Sequence, residues 1–188
     1  HLLYYMLHSF QRLLSQFGLE IHDAHLDPIH GGSCIAFIAH AGMAQRTERL
    51  LELMSREERE GFLQLDIYKD FARKVERSRD RLVELVRSLR AAGKKIFALG
   101  APVKGSTMIN YCRLSEKELD CAVEINFYKC NTYIPGTRIP VYHQGSMPDP
   151  DVYLLLAWNF KDEILAKMTT YRNKGGKILV PIPEPELI

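Results

Sequence analysis

From Gly93 to the C terminus, short β-rich runs alternate with helical stretches, and no other feature of the 188 residues constrains the fold as much. Lys95 to Leu99, Ala122 to Ile125, Ile139 to Val141, Val152 to Leu156 and Lys177 to Val180 read as strands, and Ser106 to Cys112 and Asp162 to Tyr171 as helices. Strands that alternate with helices pair in parallel through βαβ units, which build an open α/β sheet with ligands at the carboxyl ends of its strands. Residues 93–188 are therefore expected to form a Rossmann-like parallel-sheet domain, with Pro181 to Pro185 as a strand exit and tail.

Two further sections precede it. Leu3, Met6, Leu7, Phe10, Leu13, Leu14 and Phe17 share one stripe at three-and-four spacing, and Gly18 stands at a helix C-cap position. Leu19 to Asp27 and Ser33 to His40 then read as strands joined by a turn-rich connection of hairpin length. Between about 43 and 92 the chain is dense in Arg and Glu around an apolar stripe of Tyr68, Phe71, Val75, Leu82, Leu85, Val86 and Leu89. From Arg56 to Ala92 it reads as a connector helix about 55 Å long, with Gly61 a possible division. Its charges suit a solvated face, and an assembly surface is the alternative.

With 25 basic and 23 acidic residues the formal charge is +2, so neither a nucleic acid nor an anionic membrane is expected as a partner. The longest apolar run, Val152 to Trp158, falls far short of the roughly 20 residues that cross a bilayer. Cys34, Cys112, Cys121 and Cys130 form no C-x-x-C pair and read as reduced, mostly buried thiols rather than a disulfide scaffold or a zinc site. No signal peptide is recognised, so a cytoplasmic location is expected. A chain opening on His1 rather than methionine is expected to continue upstream.

The strongest local signal for chemistry is Gly100-Ala101-Pro102-Val103-Lys104-Gly105-Ser106-Thr107, between a strand and a helix. Such a turn needs glycine, and the helix start offers free N–H groups and a positive dipole end to a phosphate. Lys104 and the hydroxyls of Ser106 and Thr107 would complete an anion cradle; a tight turn with an exposed lysine is the structural alternative. The order of residues is not that of a P-loop, and Pro102 stands where a dinucleotide fingerprint needs its second glycine. Glu124 ends the next strand, where nucleotide domains of this kind place an acid for ribose hydroxyls, with Asn126 and Lys129 in the same loop. Pro135-Gly136-Thr137 suits a type II turn. Trp158-Asn159 follows the most apolar strand and reads as a stacking platform or as packing. His22 and His25, three apart on a strand, would point to opposite faces and make a poor metal pair. His30 lies in a glycine-rich connection where it could face a cleft or solvent.

Four strings, Pro28-Ile29-His30-Gly31-Gly32-Ser33, Gly100 to Gly105, Tyr133-Ile134-Pro135-Gly136-Thr137 and Leu156-Ala157-Trp158-Asn159-Phe160 with Glu163-Ile164, stand in the order found in the sugar C-methyltransferases. The chain resembles that family over nearly its whole length. The family uses S-adenosylmethionine and is built from a zinc-binding cysteine-rich module, a donor-binding domain and a Rossmann-like C-terminal domain that helps hold a nucleotide sugar. The resemblance implies that residues 1–42 are the terminal helix-strand-strand of the donor-binding methyltransferase domain, 43–92 a helical connector and 93–188 the substrate-binding domain. The zinc cysteines and the donor-binding motif would lie upstream, so this portion is not expected to catalyse alone. His1 aligns with the family's proposed general base, which removes a proton from the carbon beside a ketone so that the enolate takes the methyl group; an imidazole, with an ordinary pKa of about 6.5, suits that task. By the same resemblance His30, Ser33, Gly100, Ala101, Pro102, Lys104, Gly105, Ser106, Thr107, Glu124, Asn126, Pro135, Gly136, Thr137, Trp158 and Asn159 line the side of the cleft that takes a nucleotide-diphosphate sugar. Glu124 replaces a more usual aspartate. A non-catalytic module binding NAD or another nucleotide is the alternative.

Overall fold

The computed structural model describes residues 3–188, apart from the side chain of His30, and divides into two compact units at residues 72 and 73. His1 lies outside the described residues.

In the first unit a helix, Leu7–Ser15 (α1), precedes an antiparallel hairpin of Leu19–Asp27 (β1) and Ser33–His40 (β2), and a second helix, Glu48–Arg59 (α2), follows. The helix begins later than its apolar stripe because the Glu57 carboxylate accepts the N–H groups of Leu7 and His8 at 2.7 and 3.1 Å, placing an acid on the positive end of α1. Gly18 ends that segment at φ +66°. Leu7, Leu14, Ile21, Ala24 and Leu50 form a small core. A bulge between Ile21 and Asp23 breaks strand parity, so Ile21 and Ala24 are both buried. The same bulge corrects the expectation for His22 and His25: both rings approach Phe37, at 6.3 and 5.8 Å between centroids, and so share a face. Gly61, at φ +78°, separates α2 from Leu65–Ala91 (α3), which replaces the single helix beginning at Arg56.

The second unit is the expected parallel α/β sheet. Its strands are Ile96–Leu99 (β3), Cys121–Glu124 (β4), Thr132–Tyr133 (β5), Pro140–His143 (β6), Val152–Leu155 (β7), Lys177–Val180 (β8) and Glu186–Leu187 (β9). They lie in the order β5-β6-β4-β3-β7-β8-β9, with β6, β4, β3, β7 and β8 parallel and the two-residue strands antiparallel at the edges. The chain therefore reverses direction across the sheet between β3 and β7, the position at which doubly wound sheets open a ligand crevice.

Every residue of β3, β4 and β7 is buried, as a sheet covered on both faces requires. Ile96 and Ala98 face one layer, with Leu82 and Val86 of α3 and Met108 and Ile109 of Val103–Tyr111 (α4). Phe97 and Leu99 face the other, with Ile164, Leu165 and Tyr171 of Lys161–Lys167 (α5) and Thr169–Asn173 (α6). The crossover from β4 to β6 departs from the βαβ pattern. It carries only a 3-10 turn, Phe127–Lys129, and β5, and the core beneath it is closed by Ile134 and Ile139, which are 1% and 0% exposed.

The four cysteines are free thiols. Burial pushes Cys112 up to about 11 and Cys121 up to about 12, whereas Cys34 is exposed and Cys130 half-buried, so only two of the four match the expected burial. No helix among the described residues is long and apolar enough to cross a membrane.

Candidate functional site

The carboxyl end of β3 leads into Gly100, whose φ of +83° turns the chain sharply toward α4. Pro102 caps that helix in an extended conformation, and the first helical bond runs from Ser106 N–H to Pro102 O at 3.1 Å. The N–H groups of Val103, Lys104 and Gly105 thus form the open first turn and carry the positive end of the helix dipole. Gly105 faces the sheet: a Cβ there would stand 2.8 Å from the Leu156 Cβ, so only glycine lets α4 sit this close to the end of β7. Close helix-to-strand packing is the third task a glycine performs in nucleotide-binding turns.

Glu124 is 8% exposed and holds this loop in place. One carboxylate oxygen accepts the Ala101 N–H at 2.9 Å; the other accepts the N–H groups of Ile125 and Asn126 at 2.9 and 3.0 Å. The Lys129 ammonium lies 3.7 Å from the first oxygen and donates to Ala101 O at 3.0 Å. Burial pushes the Glu124 carboxyl up, but the N–H groups of Ala101 and Asn126, the Lys129 ammonium and the Ile125 N–H together outweigh it and hold the group below its ordinary value. An ionised carboxylate joins the end of β4 to the turn after β3.

Across the reversal point stands Trp158, in the 3-10 turn Trp158–Phe160 after β7. The Lys104 ammonium lies 5.2 Å from the centroid of its indole ring, within cation–π range. Trp158 is partly buried and Asn159 exposed. Asn110, which the sequence reading did not single out, ties α4 to the Pro135-Gly136 turn by donating 2.8 Å bonds to Pro135 O and Ser106 O. Gly136 has φ +80°, and a Cβ there would collide with the Asn110 amide. A polar residue in the middle of a predicted helix was the available signal for this tie.

The structure brings Gly100, Ala101, Pro102, Lys104, Gly105, Glu124, Asn126 and Trp158 to one edge of the sheet, with Asn159 beside Trp158. Ser106 and Thr107 fall outside the helix mouth. Their hydroxyls bond back to Pro102 O and Val103 O at 3.4 and 3.3 Å, which corrects the expectation that they point at an anion. Pro135, Gly136 and Thr137 form the turn that leads from β5 into the first residue of β6, at the amino edge of the sheet, which corrects the expectation that they line the cleft; the Thr137 hydroxyl donates to Ile134 O at 2.9 Å within that turn. Ser33 belongs to the first unit, where its hydroxyl donates to Ile29 O at 3.0 Å, and His30 lies in the same 3-10 turn, Ile29–Gly31. A separate groove of about 960 Å³ between α3 and the far end of α4 is lined by Arg79, Arg87 and Tyr111. Of its three arginines, Arg79 is engaged by Asp80 and the Tyr111 ring and Arg87 by Glu118 at 3.8 Å. Among the described residues no group of three His, Cys, Asp or Glu side chains is placed to hold a metal ion.

Residues 28–183 match the family described as the C-methyltransferase C-terminal domain. The chain belongs to this family. It is also 36% identical over 191 residues to "C-methyltransferase NovU" of Streptomyces niveus, an alignment that covers 100% of this chain and 46% of that protein. The chain thus spans just under half the length of this curated relative.

Proposed function

We propose that this chain is the substrate-holding portion of an S-adenosylmethionine-dependent C-methyltransferase. It grips the pyrophosphate of a nucleotide-linked 4-keto deoxysugar while a methyl group is added to the carbon beside the ketone. The observation that carries this reading is the pairing of an open helix N-terminus with Lys104, held against Trp158, at the point where the sheet order reverses. Membership of the family supports the reaction class, and the relative's name supports carbon as the methylated atom.

In this reading Gly100 and Gly105 let backbone N–H groups approach the pyrophosphate, Lys104 neutralises it, and Glu124 and Lys129 fix the loop before the ligand arrives, which lowers the ordering cost of binding. Asn126 and Asn159 supply amide hydrogen bonds at the edges of the site. His1 as general base, and His30 and Ser33 as sugar-side residues, belong to the proposal through the family alone. S-adenosylmethionine would supply the methyl group. The strand-to-helix connection of the first unit, residues 41–47, carries a single glycine and does not fit a nucleoside cofactor in the way a glycine-rich turn does. The first unit instead fits the end of the donor-binding domain. Its sheet has only two strands and leaves Leu26, Ile35, Phe37 and Ile38 exposed, a sheet surface of the kind that further strands cover.

Lys104→Ala is expected to weaken binding of a nucleotide-diphosphate sugar by about 1.5–3 kcal/mol, the value of a hydrogen bond to a charged group. Calorimetric titration of the two proteins at one salt concentration checks this, and equal affinities would remove Lys104 from the site.

A further inference from the structure

The loop after β4 and the end of β6 carry a feature that the phosphate cradle does not use. Phe127 and His143 stack, with ring centroids 4.4 Å apart and planes inclined by 27°. Phe127 is nevertheless 73% exposed, so the stack covers one side of the ring and leaves the rest to solvent. Its orientation is fixed from both sides. Phe127 opens the 3-10 turn that Asn126 caps by accepting the Tyr128 N–H at 3.0 Å, and His143 ends a strand whose following residue, Gln144, donates its N–H to Glu124 O at 2.9 Å. Glu124 is the residue that holds the Gly100 turn, so one carboxylate and its own carbonyl join the aromatic pair to the proposed phosphate site.

Position decides what such a platform suits. β4 lies beside β3 and β6 beyond β4, both parallel to it and each about 4.8 Å from its neighbour, which puts the pair on the order of 10 Å from the Gly100 turn along the carboxyl edge. An exposed, pre-oriented aromatic ring at one nucleotide's reach from a phosphate cradle fits a planar heteroaromatic group. Asn126 adds a polar edge: its side-chain oxygen is taken by Tyr128, which leaves its amide hydrogens free to donate.

We propose that Phe127, backed by His143, is the platform on which the nucleobase of a bound nucleoside diphosphate stacks, with the Asn126 amide donating to the base or its sugar. This rests on the phosphate-holding reading above but assigns a different part of the ligand to different residues. The test is calorimetric titration of the 188-residue chain and its Phe127→Ala and Phe127→Trp variants with thymidine diphosphate and, separately, inorganic pyrophosphate. Phe127→Ala should weaken thymidine diphosphate about tenfold or more, as loss of one base stack does, leave pyrophosphate unchanged, and be rescued by Phe127→Trp. Thymidine diphosphate bound equally by wild type and Phe127→Ala would overturn the platform while leaving the cradle standing. Phe127-dependent binding of thymidine diphosphate without any binding of pyrophosphate would support the platform and overturn the cradle. Failure of both ligands to bind would overturn both.

Discussion

Gly105→Val is expected to destabilise the second unit by about 3 kcal/mol, the upper end of what overpacking a closed interface costs. Gly105 lies in α4, whose buried face rests on the sheet, and the atom a Cβ would meet at 2.8 Å is the Cβ of Leu156, with its Cγ at 3.3 Å. Leu156 is 0% exposed, and its Cβ is fixed to the backbone just beyond β7, so no rotamer change relieves the clash. The helix must move away instead. That displacement strips contacts from Met108 and Ile109, which are buried beside Leu156 in one core layer. Because Gly105 also belongs to the open first turn, ligand affinity should fall together with stability. Gly105→Ala brings the same Cβ but gains about 1 kcal/mol of helix propensity, so its loss is smaller. Urea unfolding of the three proteins checks the order, and a Gly105→Val protein as stable as wild type would contradict the packing described for α4.

Glu124→Ala is expected to cost about 3 kcal/mol or more, because three backbone N–H groups lose a charged acceptor and the partly buried Lys129 ammonium loses its counterion. Glu124→Gln keeps the shape but turns an amide NH2 toward at least one of those N–H donors, so it recovers only part of the loss. The pH dependence follows from the direction of the shift. In the folded chain the carboxyl is held below its ordinary value, so the clamp contributes fully above the unfolded value of about 4.3 and is lost as pH falls through the folded value. Unfolding free energies of wild type and Glu124→Ala, measured by urea from pH 7 downward, should converge only in acid. A gap that stays constant across that range would mean the carboxylate is not what the Ala101, Ile125 and Asn126 N–H groups bind.

The sheet was legible because its central strands are continuous apolar runs bounded by glycine, proline and polar clusters, and β3, β4, β7 and β8 lie within a residue or two of where those runs predict them. Strands of two residues carry no such run, so β5 and β9 were invisible. The hairpin was legible too, except for the bulge at His22, where one extra residue places both histidines on the face that strict alternation would divide between them. At the site, spacing located the Gly100 turn and Glu124 but not their relation. Whether a carboxylate faces solvent or the N–H groups of its own loop is settled by the path of the backbone, which carries no residue-type signature. The hydroxyls of Ser106 and Thr107 face away from the cradle for a similar reason: α4 starts at Val103, and beyond its open first turn a hydroxyl returns to the preceding carbonyls. Lys104 and Trp158, distant in sequence, meet only because β3 and β7 are neighbours.

Substrate holding by this chain is tested most directly by titrating it, in one buffer and salt, with a thymidine diphosphate sugar, with NAD and with S-adenosylmethionine. The nucleotide sugar is expected to bind, and neither of the other two to compete with it at equal concentration. Preference for NAD, or binding of S-adenosylmethionine alone, would contradict the assignment of the Gly100 turn, Lys104 and Trp158 to substrate holding in a C-methyltransferase.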